Sequence, residues 1–318
     1  MKKWSGVSEA FTSAGLDLDL LDAFGPSAFH LSRGDKIFTI GSCFARNIED
    51  SLIKHELFFP IMHYQPQPDE FGGPRPRGIL NKFTPGCMLE DILWVNSIIL
   101  DEKSFEKETR DRFFFPVGNG LVVDLGLQAY VPVTEARFWQ RRMDILALYK
   151  QIAECKASIL TFGLVEQWYF KGRVIQHAPV IKEMLQARQD FSFSFLNDVE
   201  IRQTLEQIIQ AMRRMNPDLM IIFTVSPVPL LSTFSNYHVL LANNLSKSRL
   251  LTAAHFLVNS YQGVEYFPSF DIVQLFGRDG FESDMRHVKN SVVQDICMNF
   301  AKKYLVDVRG PKNPNGVG

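Results

Sequence analysis

The chain has 318 residues, a formal charge of −1, 46% hydrophobic residues and 22% charged residues. So much apolar surface offsets chain entropy and excludes a mainly disordered state. A charge near zero excludes global attraction to nucleic acid or an anionic membrane, leaving room only for a local basic patch.

Residues 1–35 mix polar and apolar side chains with glycines and read as an irregular lead-in. No apolar run follows the basic N-terminus and no stretch of about 18 apolar residues occurs, so neither a signal peptide nor a membrane span is expected. A cytoplasmic enzyme is the default expectation. Lys36-Ile37-Phe38-Thr39-Ile40 is a β-branched and aromatic run that ends at Gly41, a strand signal. Ala45, Ile48, Leu52 and Leu57 then follow helical spacing. Residues 60–80 hold five prolines and read as a long ordered loop or a lid.

Thr84-Pro85 predicts a helix start, and Gly118-Asn119-Gly120 predicts a hairpin turn within 112–133. Thr134 opens a helix to about 154, and Ser158 to Phe162 is a buried strand ending at Gly163. A hairpin is predicted around Lys171-Gly172, and Asn197 with Glu200 forms a capping box ahead of another helix. Leu219 to Val225 is an apolar strand stopped by Ser226-Pro227. A helix near 240–260, a strand near 264–267, a helix from about 288 to 304 and a flexible tail from 309 complete the chain.

Strands separated by helices predict an α/β fold: a mainly parallel sheet with helices on both faces. Ligands in such sheets sit beyond the carboxyl ends of strands. Ser42, Gly163 and Ser226 each follow a predicted strand and therefore share that edge.

Ser42 lies between a strand and a helix whose free N–H groups and positive dipole end face the same place, as a nucleophile and a developing oxyanion require. The same position also suits a helix cap. Asp284-Met285-Arg286-His287 offers an imidazole base and a carboxylate to orient it, or a solvated turn and a cap. Cys43, beside Ser42, is an alternative nucleophile if it is a thiolate. The four cysteines form no C-x-x-C pair and the seven histidines no H-E-x-x-H, so no metal and no cofactor are expected. Tyr237-His238 reads as a pocket wall or a cap. Ser246-Lys247-Ser248-Arg249 reads as an anion-attracting group or a solvated helix face, and Phe191, Phe193 and Phe195 as an acyl groove or core.

Gly41-Ser42-Cys43-Phe44-Ala45 resembles the signature of the GSCFA family, a branch of the SGNH (GDSL-like) hydrolases. The stretches Thr161 to Trp168, Thr224 to Leu230, Ser246 to Ser248, Tyr266 to Ser269 and Asp284 to His287 are similar to that family too, in order over residues 36 to 300. The resemblance implies a three-layer α/β/α sandwich with insertions, with Ser42 as nucleophile, His287 as general base and Asp284 as its carboxylate. Among the oxyanion donors of such enzymes, the N–H of Ser42 transfers directly. Gly78 or Gly163 matches the glycine. The wider superfamily's usual G-x-N-D block reads Gly163-Leu164-Val165-Glu166 here, and Val165 has no side-chain donor. Either Asn81 replaces it or the hole is one donor short. Glu166 is expected to hold the loop, contact substrate or serve as a structural carboxylate.

The expected function is a serine-dependent ester hydrolase or O-acyltransferase acting on an acylated carbohydrate-type substrate, with acyl-coenzyme A as a donor if it is a transferase. One catalytic domain over 1–308 is expected. The alternative is a glycan- or ligand-binding protein on a degenerate fold, favoured by Val165.

Overall fold

The computed structural model describes residues 27–72 and 75–306, with two short backbone segments at 11–12 and 15–16. The tail expected from residue 309 lies outside the described residues, as does most of the lead-in. The strands β1 (Phe11–Thr12) and β2 (Gly15–Leu16) pair antiparallel.

β3 (Ile37–Gly41) is buried along its whole length and feeds α1 (Cys43–Leu52) through a single residue, Ser42. Gly41 permits this tight passage: a Cβ there would lie 2.5 Å from that of Thr161. Residues 60–80, expected as a long ordered loop or a lid, carry partly buried 3₁₀ turns at Pro60–His63 and Pro76–Leu80. α2 (Pro85–Ile99) begins where expected, capped by the Thr84 hydroxyl. α3 (Phe105–Phe113), which the sequence reading does not anticipate, is capped by Ser104. The predicted hairpin forms from β4 (Phe114–Gly118) and β5 (Leu121–Asp124), and β6 (Val133–Thr134) adds to it. Asn119 and Gly120 in its turn have φ of 51° and 72°, the left-handed conformation such turns demand.

α4 (Glu135–Lys150) precedes β7 (Ala157–Phe162), all six residues of which are buried. β8 (Glu166–Phe170) and β9 (Arg173–Ile175) form the second hairpin. After the short helix α5 (Lys182–Gln186), β10 (Phe191–Phe195) pairs antiparallel with β8. Its alternating phenylalanines are thus a strand pattern. α6 (Asp198–Met215) carries the expected capping box at Asn197 and Glu200. β11 (Met220–Val225), α7 (Val239–Ser260), β12 (Val264–Tyr266), α8 (Ser269–Phe276) and α9 (Asn290–Tyr304) complete the described chain.

The central sheet has the order β12-β11-β7-β3, with every neighbour parallel. Its strands are mainly apolar, and even Thr39, Ser158, Thr161 and Thr224 in them are buried, because helices cover both faces. α1, α8 and α9 pack together as one layer, while α2, α6 and α7 form the other. The main core runs from Phe29 to Leu305. A smaller core around Phe115, Leu125 and Ile175 joins the two three-stranded antiparallel sheets. The parallel register, with Gly41 opposite Thr161 and Phe162 opposite Val225, brings Ser42, Gly163 and Ser226 to one edge.

Candidate active site

Ser42 is extended at φ −70° and ψ −177°, and only 2% of it is exposed. Its Oγ accepts from the N–H of Phe44 at 3.3 Å, so it caps α1. The same hydroxyl lies 3.1 Å from the Oγ of Ser226. The strand β7 separates the two serines' strands, and their hydroxyls meet over its end. Capping and a place on the strand edge therefore coexist in one side chain.

Asp284 and His287 occupy a turn made by Met285 in the left-handed region at φ 57°. Asp284 Oδ1 accepts from the N–H groups of Arg286 (2.9 Å) and His287 (3.0 Å), while Oδ2 faces the His287 Nδ1. The N–H groups of His287 and Arg286, with the imidazole beside them, hold the Asp284 carboxyl well below the ordinary range. His287 is 64% exposed at its side chain. Among the described residues no hydrogen bond joins it to Ser42, but both line one cavity of about 370 Å³, together with Gly163, Glu166, Ser226 and Arg286. Aromatic side chains of Phe83, Trp168 and Phe234 and polar ones of Gln128, Gln176 and His177 line the same space. Burial pulls the His177 imidazole down to about 4, so it stands neutral at pH 7.

Gly78 and Asn81 border an adjoining cavity of about 450 Å³, which shares Cys43, Val228 and His287 with the first. Lys82 N–H donates to the Gly41 carbonyl at 2.8 Å, which pins their loop beside the serine turn. The Gly78 N–H is engaged by the Arg75 carbonyl (2.8 Å), and the Gly163 N–H by that of Phe83 (2.9 Å). An oxyanion role for either glycine would require that bond to open. Asn81 is buried, and its Oδ1 has no partner among the described residues. Burial pushes the Cys43 thiol up against the pull of Arg286 and Arg75, which disfavours a thiolate there.

Glu166 acts on a loop. Its Oε1 accepts from the Thr233 hydroxyl and its Oε2 from the Phe234 N–H (3.1 Å), latching the segment that carries Leu231 and Phe234 over the cavity. Hydrogen bonds to a charged group are worth about 1.5–3 kcal/mol. Glu166→Ala is therefore expected to speed amide hydrogen exchange in residues 233–235 by roughly tenfold, a factor equal to about 1.4 kcal/mol. Unchanged exchange in that segment would show that the latch carries no weight.

The reading of residues 246–249 as a solvated or anion-attracting face is corrected at Lys247. Only 2% of Lys247 is exposed, and its Nζ donates to the carbonyls of Ser226 (2.7 Å), Val228 (2.8 Å) and Gly163 (2.9 Å). Burial pulls it down to about 7, while three carbonyls engage the three protons that only the ammonium has. The basic residue in a polar quartet gave no sign of this, because nothing local shows that two strand-end loops converge on it. His238 caps α7 by accepting from the Leu240 N–H at 3.3 Å, and neither it nor Tyr237 lines the cavity.

The GSCFA family model matches residues 36–300. Among solved structures, the chain is similar to a family 3 carbohydrate esterase of Clostridium thermocellum, with 11% identity, a TM-score of 0.35, and 87% of this chain and 97% of that one covered. It is also similar to a carbohydrate esterase family 3 structure from Talaromyces cellulolyticus, with 11% identity, a TM-score of 0.32, and coverage of 85% and 95%. A search of curated proteins found no match. No helix among the described residues is long and apolar enough to cross a membrane.

Proposed function

The chain belongs to the GSCFA family, and on that premise we propose that it is a serine-dependent ester hydrolase or O-acyltransferase acting on an acylated carbohydrate-type substrate. One observation carries the reading: Ser42 and a carboxylate-bound His287 line the same cavity at the carboxyl edge of the parallel sheet. In the reaction the Ser42 hydroxyl leaves Ser226, gives its proton to Nε2 of His287 and attacks the ester carbonyl. Asp284 holds Nδ1 and stabilises the imidazolium. The imidazolium then protonates the leaving alcohol, and water or a second alcohol resolves the acyl-enzyme. A second alcohol makes the enzyme a transferase, for which acyl-coenzyme A is a chemically suitable donor. Aromatic rings beside side-chain amides, as at Trp168, Phe234, Gln128 and Gln176, suit the faces and hydroxyls of a sugar.

The exposed His287 turn has to close on Ser42 for the first proton transfer. Such hydrogen bonds are often open before substrate binds. A fluorophosphonate probe tests the reading without knowledge of the substrate. Intact-mass analysis is expected to show one adduct, located on Ser42 by peptide mapping and absent in His287→Ala. An adduct on Cys43 would replace the mechanism with a thiol one. No adduct on a folded protein would favour the ligand-binding alternative.

A further inference from the structure

The two glycine N–H groups expected to serve Ser42 are not free donors. The N–H groups of Gly78 and Gly163 are engaged by carbonyls, and the side chain of Val165 is buried and apolar. We infer that the hydroxyl of Ser226, held in place by Lys247, is a donor to the oxyanion formed when Ser42 attacks an ester. The inference rests on Ser42 being the nucleophile.

Ser226 is 1% exposed and lines the cavity, with its Oγ 3.1 Å from that of Ser42. The oxyanion forms one carbon atom beyond the Ser42 Oγ, within the reach of a hydroxyl so placed. In the resting arrangement the Ser226 Oγ accepts from the Ser42 hydroxyl and, at 3.3 Å, from the Val228 N–H. Its own proton has no acceptor among the described residues. On attack, the Ser42 proton passes to His287, the Ser42 oxygen bonds to the carbonyl carbon, and the π pair moves onto the carbonyl oxygen. The Ser226 proton then has an anion to point at, with the hydroxyl already in position.

The backbone that aims this hydroxyl is fixed on every side. Ser226 N–H donates to the Phe162 carbonyl at 2.7 Å, and the Ser226 and Val228 carbonyls both accept from the Lys247 ammonium. The third proton of Lys247 holds the Gly163 carbonyl on the neighbouring strand end. One buried cation thus clamps two strand-end loops against each other. A donor fixed before the reaction costs no reorganisation when charge appears. Lys247 is a positioning residue in this scheme, because it acts through Ser226.

The test is steady-state hydrolysis of p-nitrophenyl acetate and butyrate by Ser226→Ala, Ser226→Thr, Lys247→Met and the Ser226→Ala/Lys247→Met pair, with Ser42→Ala and Asn81→Ala alongside. Loss of one oxyanion donor typically lowers kcat about 10²–10³-fold. Ser226→Ala is expected to fall by about that factor with KM within about threefold, while Ser226→Thr, which keeps the hydroxyl, recovers at least roughly tenfold of the loss. Adding Lys247→Met to Ser226→Ala is expected to cost less than about threefold more, because residues acting as a unit are not additive. A Ser226→Ala kcat near wild type beside an inert Ser42→Ala overturns the inference and leaves the serine mechanism standing. So does the full loss appearing in Asn81→Ala and not in Ser226→Ala. Equal hydrolysis by wild type and Ser42→Ala overturns both readings.

Discussion

Ser42→Ala is expected to lower kcat for short p-nitrophenyl esters by at least about a thousandfold, down to the level that binding and oxyanion stabilisation alone support. The size of the effect separates the two roles of this residue. As the cap of α1, Ser42 accepts from the Phe44 N–H, and loss of such a cap costs about 1 kcal/mol of stability. That shift, readable in a urea melt, leaves a protein of ordinary stability almost wholly folded and so removes little activity. Loss of the nucleophile removes the covalent route altogether. Cys43→Ser, one residue on, is expected to keep activity within about threefold, since its thiol is pushed up by burial and is not expected to supply the thiolate that thiol chemistry needs. The reverse pattern, an inert Cys43→Ser beside an active Ser42→Ala, would move the reaction to the thiol.

The parts of the site that were legible share one property: their signals are local. β3, β7 and β11 are mainly apolar because both faces are covered, and each is followed by a small residue, Ser42, Gly163 or Ser226, that marks the turn to the site. Asp284 and His287 sit three residues apart, so a single turn brings them together. The role of Lys247 is not legible locally, because its burial depends on carbonyls from two other segments. β10 alternates phenylalanine and serine, a strand period visible in sequence, yet its partner β8 is supplied by the fold. α3 is short, strongly charged and weakly apolar, so its only local signs are the cap at Ser104, the acidic first turn (Glu106, Glu108) and the basic last turn (Arg110, Arg112). The engaged N–H groups of Gly78 and Gly163 belong to the same class, since the spacing of a glycine says nothing about which carbonyl lies opposite it.

A buried charge network behind the site was the least legible feature, and it carries the largest expected effect on stability. Asp124 is completely buried, receives both Nε (2.7 Å) and Nη2 of Arg142, and accepts from the Gly126 N–H at 3.0 Å. Arg141 lies 3.8 Å from the same carboxylate. Arg142 also stands 3.6 Å from Asp91, which pairs with Lys82 at 2.7 Å, and its guanidinium lies 3.5 Å from the centre of the Phe113 ring. Burial alone would lower the Arg142 pKa, but Asp124 and Asp91 outweigh it and hold the guanidinium charged. Asp124→Ala leaves the buried Arg142 with only Asp91, 3.6 Å away, a loss of about 3–5 kcal/mol, while Arg141 keeps Glu70 at 3.6 Å. Urea denaturation at pH 7 is expected to show this as a lower midpoint with an unchanged slope. Added salt is expected to restore little, because buried pairs are weakly screened. Asp124→Asn, which keeps hydrogen bonding but not charge, is expected to fall between alanine and wild type. The damage reaches the serine turn through Lys82, whose Nζ donates to the Gly126 carbonyl and whose N–H holds that of Gly41. A loss below about 1 kcal/mol in Asp124→Ala would mean that water or rearranged partners replace the carboxylate. In the double variant Asp124→Leu/Arg142→Met, with both charges removed together, much of the stability is expected to return, since the single variant's cost comes from the charge left unpaired.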